Sequence, residues 1–350
     1  MSAIPTMMPV AVYQGDGRIE VQELAVPEPG PDEVLVEVAA CGICGTDLHL
    51  VLEQFARPGD VLGHEWAGTV ALSGDTWEAG ARVVSDPSPG CGNCRACRSG
   101  RPAVCLERPP ADFSSWNGAF CRYRTVQAAR LLRVPDSLSV RDAALTEPTA
   151  IAIHTVNLSG AGPDDRVLVT GAGPVGALTV AVLRARGVED ITVSEPSEVR
   201  RRHALACGAS AAVGPDELEP APMGRTVRDP YSVVFECSGR ASAAESALDQ
   251  LDYAGVFVFV GTGSTMPRVN HNRIIVLEQT LIGAYNYDAD GFGPALELLA
   301  SGSLPLDVLI ESEDIALDEI VQVMHQLADG EIPGKVLVRP EVSDVSEVRA

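Results

Sequence analysis

"DRVLVTGAGPVGALTVAVLRARG", residues 165–187, decides how the middle of this chain folds. It opens with a short β-branched run and closes with a helix-forming stretch. Between them stand Gly171, Gly173 and Gly176 in the spacing G-x-G-x-x-G. A lone glycine triplet is often only a turn. This one ends a strand, starts a helix, and is followed by a second strand, "DITVSE", closed by Glu195, 24 residues beyond Gly171. That context is the dinucleotide-binding fingerprint. Gly171 permits the tight turn, Gly173 lets a pyrophosphate approach the backbone, and Gly176 lets the helix pack closely on the strand. Pro174 and Val175 begin the helix whose N-terminus faces the phosphates. Glu195 is expected to accept hydrogen bonds from ribose hydroxyls; a 2′-phosphate would meet its carboxylate, so NAD is expected over NADP. Arg200, Arg201 and Arg202 follow. They could reach a phosphate, although a solvated helix face is the plainer reading.

Downstream the alternation continues: "AAV", "YSVVFECSG", a helix over "ASAAESALDQL", then "GVFVFVG" and "TLIGAY". Strands alternating with helices predict a parallel sheet covered on both faces. Upstream the pattern differs. "VAVYQ", "IEVQEL", "EVLVEVAA", "AGTVALSG" and "ARVVS" are short strand-like runs separated by Pro- and Gly-rich connections. Helices at "GFGPALELLASG" and "LDEIVQVMHQLADG" and a strand at "KVLVRP" end the chain, and this segment is expected to return to the first domain.

The 350 residues suffice for about two domains. A net charge of −22 disfavours nucleic acid and anionic membrane surfaces as partners. Of 26 basic residues only Lys335 is a lysine, which reads first as codon bias. No stretch reaches the roughly 18 apolar residues of a membrane helix, and the N-terminus lacks the pattern of a secretory signal. A cytoplasmic protein is expected, and there nine cysteines point to metal or catalysis rather than disulfides.

Two cysteine sets stand out. "CGNCRACRSGRPAVC" supplies Cys91, Cys94, Cys97 and Cys105, four thiols in one loop at C-x2-C-x2-C-x7-C. A closed four-thiolate site is a structural zinc site. Iron suits all-sulfur coordination too, but this is not an iron–sulfur spacing. The arginines among the ligands, Arg95, Arg98 and Arg101, read as solvent-facing. "ACGICGTDLH", residues 40–49, holds Cys41 and Cys44, open to use as a dithiol, a half-site or a single ligand. "LGHEWAG" adds His64 and Glu65, and "LTEPTAIAIHTV" adds Glu147. A catalytic zinc needs three protein ligands and an open position, which Cys44, His64 and one of the two carboxylates would supply.

Taken together, "GICGTDLH", "GHEWAG", the four-cysteine lobe, "EPTAIAIHTV", "GAGPVG" and the terminal "GKVLV" resemble the zinc-dependent medium-chain dehydrogenases over nearly the whole chain. The resemblance implies an α/β protein with a GroES-like β-rich catalytic domain, residues 1–153 and 289–350, and a Rossmann domain, residues 154–288, with the active site between them. It implies two zinc ions per chain and NAD, and a homodimer or homotetramer. Cys44 and His64 match catalytic ligands, Glu65 and Glu147 are both site residues, and Thr46 and His49 match the proton-relay positions. Glu147 stands where the alcohol dehydrogenases have a cysteine, which is more similar to the sorbitol, threonine and glucose branches. The activity implied is hydride transfer from a secondary alcohol of a polyol, sugar or cyclitol to NAD, or the reverse reduction of a carbonyl. A simple secondary alcohol, a diol or threonine is the alternative substrate. A non-catalytic zinc-stabilised scaffold is the alternative outside enzymes. Candidate pocket residues are Thr46, Leu50, Phe55, Trp116 and Tyr285. Cys121, Cys207 and Cys237 read as small buried residues, and His154 as packed at the domain junction.

Overall fold

A computed structural model describes residues 4–341 except 75, 88–89, 108–117, 223 and 289. The first half runs β1 (Met7–Gly15), β2 (Arg18–Ala25), β3 (Glu33–Gly42), α1 (Gly45–Leu52), β4 (Glu65–Val70), β5 (Arg82–Ser85), α2 (Arg95–Arg98), β6 (Tyr123–Gln127), β7 (Leu131–Arg133) and α3 (Thr146–Ser159). The second half alternates β8 (Arg166–Thr170), α4 (Pro174–Ala185), β9 (Asp190–Ser194), α5 (Glu198–Ala206), β10 (Ala211–Val213), β11 (Tyr231–Glu236), α6 (Ala241–Gln250), β12 (Leu251–Phe259), α7 (His271–Val276) and β13 (Thr280–Gly283). It closes with α8 (Phe292–Ala300), α9 (Leu306–Leu309), α10 (Ile320–Ala328) and β14 (Leu337–Val338). None of the described helices is long and apolar enough to cross a membrane.

The β-rich part is an antiparallel sheet ordered β14-β3-β4-β5-β7, with β6 also paired to β3. Alternation makes β3 its centre. Val34, Val36 and Val38 enter one apolar cluster, while Leu35 points to another with Met8, Val10 and Val12 of β1. The β3–β4 register shifts between Val38 and Ala40. Such a bulge bends the strand, and beyond it the end of β3 meets β4 on one edge and β14 on the other. The last strand therefore does return to the first sheet, as Leu337 pairs with Gly42.

The second sheet is parallel and ordered β10-β9-β8-β11-β12-β13. This is the doubly wound order of a Rossmann fold, with its reversal between β8 and β11. Both faces are buried, so successive residues serve opposite layers. Val167, Val169 and Phe235 pack into one cluster, while Leu168, Val234 and Phe257 pack with Ala244, Ala247 and Leu248 of α6 in another. The sequence reading misplaced β4, which runs from Glu65 rather than from residue 67, and did not foresee α1.

Candidate active site

The β3–β4 ladder builds the metal group. Gly42 pairs with Glu65, so the chain leaving β3 through Ile43 and Cys44 lies beside the chain entering β4 through His64. Ligand atoms of Cys44, His64 and Glu65 all lie within 4.8 Å of one another. Thiolate, imidazole and carboxylate form a three-donor zinc set with room for a fourth ligand. Burial pushes the Cys44 thiol up, with Glu65 adding to it and His64 and Lys335 opposing; a bound cation would displace that proton. Glu147, in the first turn of α3, is buried at 8 % exposure. It is not in the three-residue group, though it is near enough for His64, Glu65 and Lys335 to act on its charge. Burial pushes its carboxyl up to about 7, with Glu65 adding and His64 and Lys335 opposing.

Sequence reasoning gave no role to Asp47. It is 1 % exposed, and its Oδ2 accepts the Cys44 backbone N–H at 2.9 Å. Its Oδ1 accepts the Gly63 N–H at 3.4 Å and lies 3.7 Å from His64 Nδ1. One carboxylate therefore ties together the backbones before both ligands and faces one nitrogen of the imidazole, leaving Nε2 for metal. The D-x-H spacing carried no signal for this, because the contact crosses from α1 to the turn before β4. Asp47→Ala should weaken zinc binding at this centre by about 10–100-fold in chelator competition.

The second group is Cys91, Cys94, Cys97 and Cys105. The Sγ atoms of Cys91 and Cys97 are 4.0 Å apart, and those of Cys94 and Cys105 3.8 Å. A zinc tetrahedron with bonds of about 2.3 Å has edges of about 3.8 Å, so the spacing fits zinc and is far from a disulfide. All nine cysteines are free. Backbone N–H groups of Cys91 and Cys94 donate to the sulfurs of Cys105 and Cys91, each at 3.3 Å. Backbone N–H groups of Cys97 and Leu106 lower Cys94 to about 6.

Between the two sheets lies a cavity of about 760 Å³. Cys44, Leu48 and Lys335 line one end, and Gly171, Gly173 and Glu195 line another. Gly171 has φ +85°, and a Cβ there would stand 2.8 Å from Ser238. A Cβ on Gly176 would stand 2.0 Å from the Gly171 carbonyl oxygen. A Cβ on Gly173, the N-cap of α4, would meet nothing within 4 Å. The first and last glycines are thus required by packing, and the middle one leaves space that a pyrophosphate fits. Glu195 is 4 % exposed and accepts the N–H groups of Ala172 at 2.8 Å and Ser197 at 2.9 Å. These bonds fix its carboxylate beside the glycine turn. Arg200 donates to the carbonyls of Leu327 (2.7 Å) and Ile332 (3.2 Å), and Arg201 to those of Glu195 (2.7 Å) and Pro196 (2.8 Å). Arg202 pairs with Glu198 on the solvent side at 3.2 Å.

Comparison with known proteins agrees with this geometry. Residues 30–136 match the model of the alcohol dehydrogenase GroES-like domain, and residues 174–301 match that of zinc-binding dehydrogenases. The sorbitol dehydrogenase of Bacillus subtilis (strain 168) is 31 % identical over 92 % of this chain and 94 % of its own length. The chain belongs to the zinc-binding dehydrogenases. The L-threonine 3-dehydrogenase of Pyrococcus horikoshii is 32 % identical over 91 % of this chain and 94 % of its own. A Sinorhizobium meliloti 1021 chain described as a zinc-binding dehydrogenase, solved with NADP, superimposes with a TM-score of 0.84 at 32 % identity, covering 96 % of this chain and 100 % of that one.

In this dehydrogenase Thr46 and His49 lie three residues apart on α1 and so share a face. Thr46 is exposed; His49 is partly exposed, its Nδ1 2.7 Å from Glu53 Oε1. Leu48, rather than Thr46 or Leu50, is among the residues lining the cavity, Phe55 and Tyr285 are exposed, and Trp116 lies outside the described residues. Cys121 and Cys207 are buried, but Cys237 is only partly so and lines the cavity. His154 is buried and sits 2.8 Å from Asp288.

Proposed function

We propose that this dehydrogenase transfers a hydride between NAD and the secondary hydroxyl-bearing carbon of a polyol, sugar or cyclitol. One observation carries the reading. Cys44, His64 and Glu65 form a three-donor group with a carboxylate in place of a second thiolate, and its thiolate shares a cavity with the glycine turn. The similarity to a sorbitol dehydrogenase supports the substrate class. Bound zinc supplies Lewis acidity that makes an alcohol hydroxyl acidic near neutral pH. Cys44, His64 and Glu65 would hold it, with Glu147 near them. Thr46 receives the hydroxyl proton and His49 hands it to solvent at the exposed face of α1. A screen of NAD reduction over polyols, sugars, cyclitols, diols and threonine tests the assignment. Turnover of the first three groups is expected, and turnover confined to threonine or simple diols overturns it.

NAD preference rests on Glu195; Arg200, which lines the same cavity, and Arg201 donate to backbone carbonyls, and Arg202 meets Glu198 at the exposed surface. Charge-assisted hydrogen bonds are worth about 1.5–3 kcal/mol. Glu195→Ala should therefore lower kcat/KM for NAD by roughly 10–100-fold and narrow the gap to NADP. Wild-type preference for NADP, the ligand of the Sinorhizobium meliloti chain, would overturn this.

The domain division proposed is residues 1–153 with 289–350 and residues 154–288, supported by the pairing of β14 with β3; residues 1–3, 289 and 342–350 lie outside the described part. A homodimer or homotetramer is proposed as well. Strand β13 ends the parallel sheet, and Tyr253, Ile275 and Val276 near it are each more than 60 % exposed, an edge that a second copy would cover. Nine free thiols support a cytoplasmic location.

A further inference from the structure

Lys335 stands apart from every other basic residue of the chain. The other 25 are arginines. If codon bias alone chose between the two, an arginine would be expected here too. Lys335 is 2 % exposed, and its Nζ is 2.9 Å from the Ile43 carbonyl, 2.8 Å from Glu65 Oε1 and 2.6 Å from Glu65 Oε2. An ammonium is a compact head with three N–H donors; here it bonds the Ile43 carbonyl and Glu65 Oε1, while Glu65 Oε2 lies within ion-pair distance but accepts no hydrogen bond among the described residues. A guanidinium is a wide planar fork and could not reach the same two acceptors from this space. The space is tight: a Cβ on Gly42 would stand 2.3 Å from Glu65 Oε2 and 3.1 Å from Lys335 Cδ.

The lysine is itself held firmly. Its N–H donates to the Leu309 carbonyl at 2.8 Å and its carbonyl accepts the Glu311 N–H at 3.0 Å. Two residues on, Leu337 pairs with Gly42. The C-terminal segment thus delivers one cation to the back of the metal group. By contrast, no hydrogen bond or ion pair holds Glu147 among the described residues.

We propose that Lys335 is a positioning residue of the metal centre, its ammonium fixing the Glu65 carboxylate in the orientation that turns it toward Cys44 and His64. This rests on the reading of Cys44, His64 and Glu65 as the zinc group. A carboxylate free to turn about its side-chain bonds would lose part of its zinc affinity to disorder, and groups that orient ligands commonly matter about 10–100-fold in metal affinity.

A double-mutant cycle on zinc affinity, measured with the full chain by chelator competition, tests the proposal. The variants are Lys335→Met, Lys335→Arg, Glu65→Gln and the double variant Lys335→Met/Glu65→Gln; the thermal unfolding midpoint and the zinc retained by the four-cysteine lobe report folding. Lys335→Met should weaken the Cys44 centre by about 10–100-fold, with lobe zinc affinity kept within about twofold. Lys335→Arg should not restore it. In the Glu65→Gln background the lysine substitution should cost less than about twofold more, because its target is gone. Additive losses, or unchanged zinc affinity in Lys335→Met, overturn the proposal: the lysine would then act without Glu65, by packing alone. Unchanged affinity in Glu65→Gln alone overturns the ligand reading instead. Should Lys335→Met not fold, the double variant, which buries neither charge, still decides the question against Glu65→Gln.

Discussion

Cys44→Ser should lower kcat/KM by about 10³–10⁴-fold and reduce the zinc content from two ions per chain to one, while NAD still binds. The three-donor group has one member at the N-cap of α1, one just before β4 and one at the first residue of β4. Losing the thiolate leaves an imidazole and a carboxylate, and a serine hydroxyl does not ionise near neutral pH to replace it. The Lewis acidity lost is worth several kcal/mol of transition-state stabilisation, and each 1.36 kcal/mol is a factor of ten. The dinucleotide seat should survive, because Gly171 is set by its packing on Ser238, Gly176 by the Gly171 carbonyl, and Glu195 by the N–H groups of Ala172 and Ser197. Zinc analysis, NAD titration and steady-state rates check the three parts separately. Full activity, or two zinc ions retained, would remove Cys44 from the centre.

What the sequence disclosed followed from what is local in it. The strand, the glycine turn and the acid fall within the 30 residues from Arg166 to Glu195, so their joint meaning could be read directly, as could four cysteines in a 15-residue loop. The parallel sheet was legible because its strands carry adjacent apolar residues that serve both faces, such as Val167, Leu168 and Val169. Contacts made across distance were not legible. Asp47 is two residues from His49 in sequence, yet its work is done on Cys44 and on the turn before His64. Lys335 is 270 residues from Glu65, and only the pairing of β14 with β3 shows why they meet. Helix α1 is short and begins at a glycine, which weakens any periodic signal, and it is held by the Cys44–Asp47 backbone contact rather than by propensity. The sequence could not rank Glu65 against Glu147 either. Both follow motifs equally well, and only the Gly42–Glu65 register places one of them with Cys44 and His64.

Cys97→Ser should remove the other zinc and unravel the lobe while leaving the Cys44 centre loaded. The lobe has little else to fold around. Its helix α2 has four residues, none of them buried, and the short turn over Pro102–Val104 buries only Ala103. Four sulfurs at tetrahedral spacing therefore replace an apolar core, and metal affinity there is folding free energy, on the order of 10 kcal/mol for closed zinc sites of this kind. With three thiolates the metal gains an open position and a weaker grip, as in sites that exchange ligands. The backbone N–H groups that point at sulfur would then lose their charged acceptors. Arg95 and Arg98 would remain as cleavage points for trypsin in a segment without other structure, whereas Arg101 precedes Pro102 and resists it. Limited trypsin digestion should cut the variant between residues 91 and 105 at a rate at which the wild-type chain stays whole, and zinc analysis should read one ion per chain. The two substitutions are then complementary: Cys44→Ser abolishes turnover in an intact chain, whereas Cys97→Ser makes the chain fragile while the uncut enzyme still turns over. A Cys97→Ser protein that keeps both zinc ions and resists trypsin would show that three thiolates and their backbone donors suffice to hold the loop.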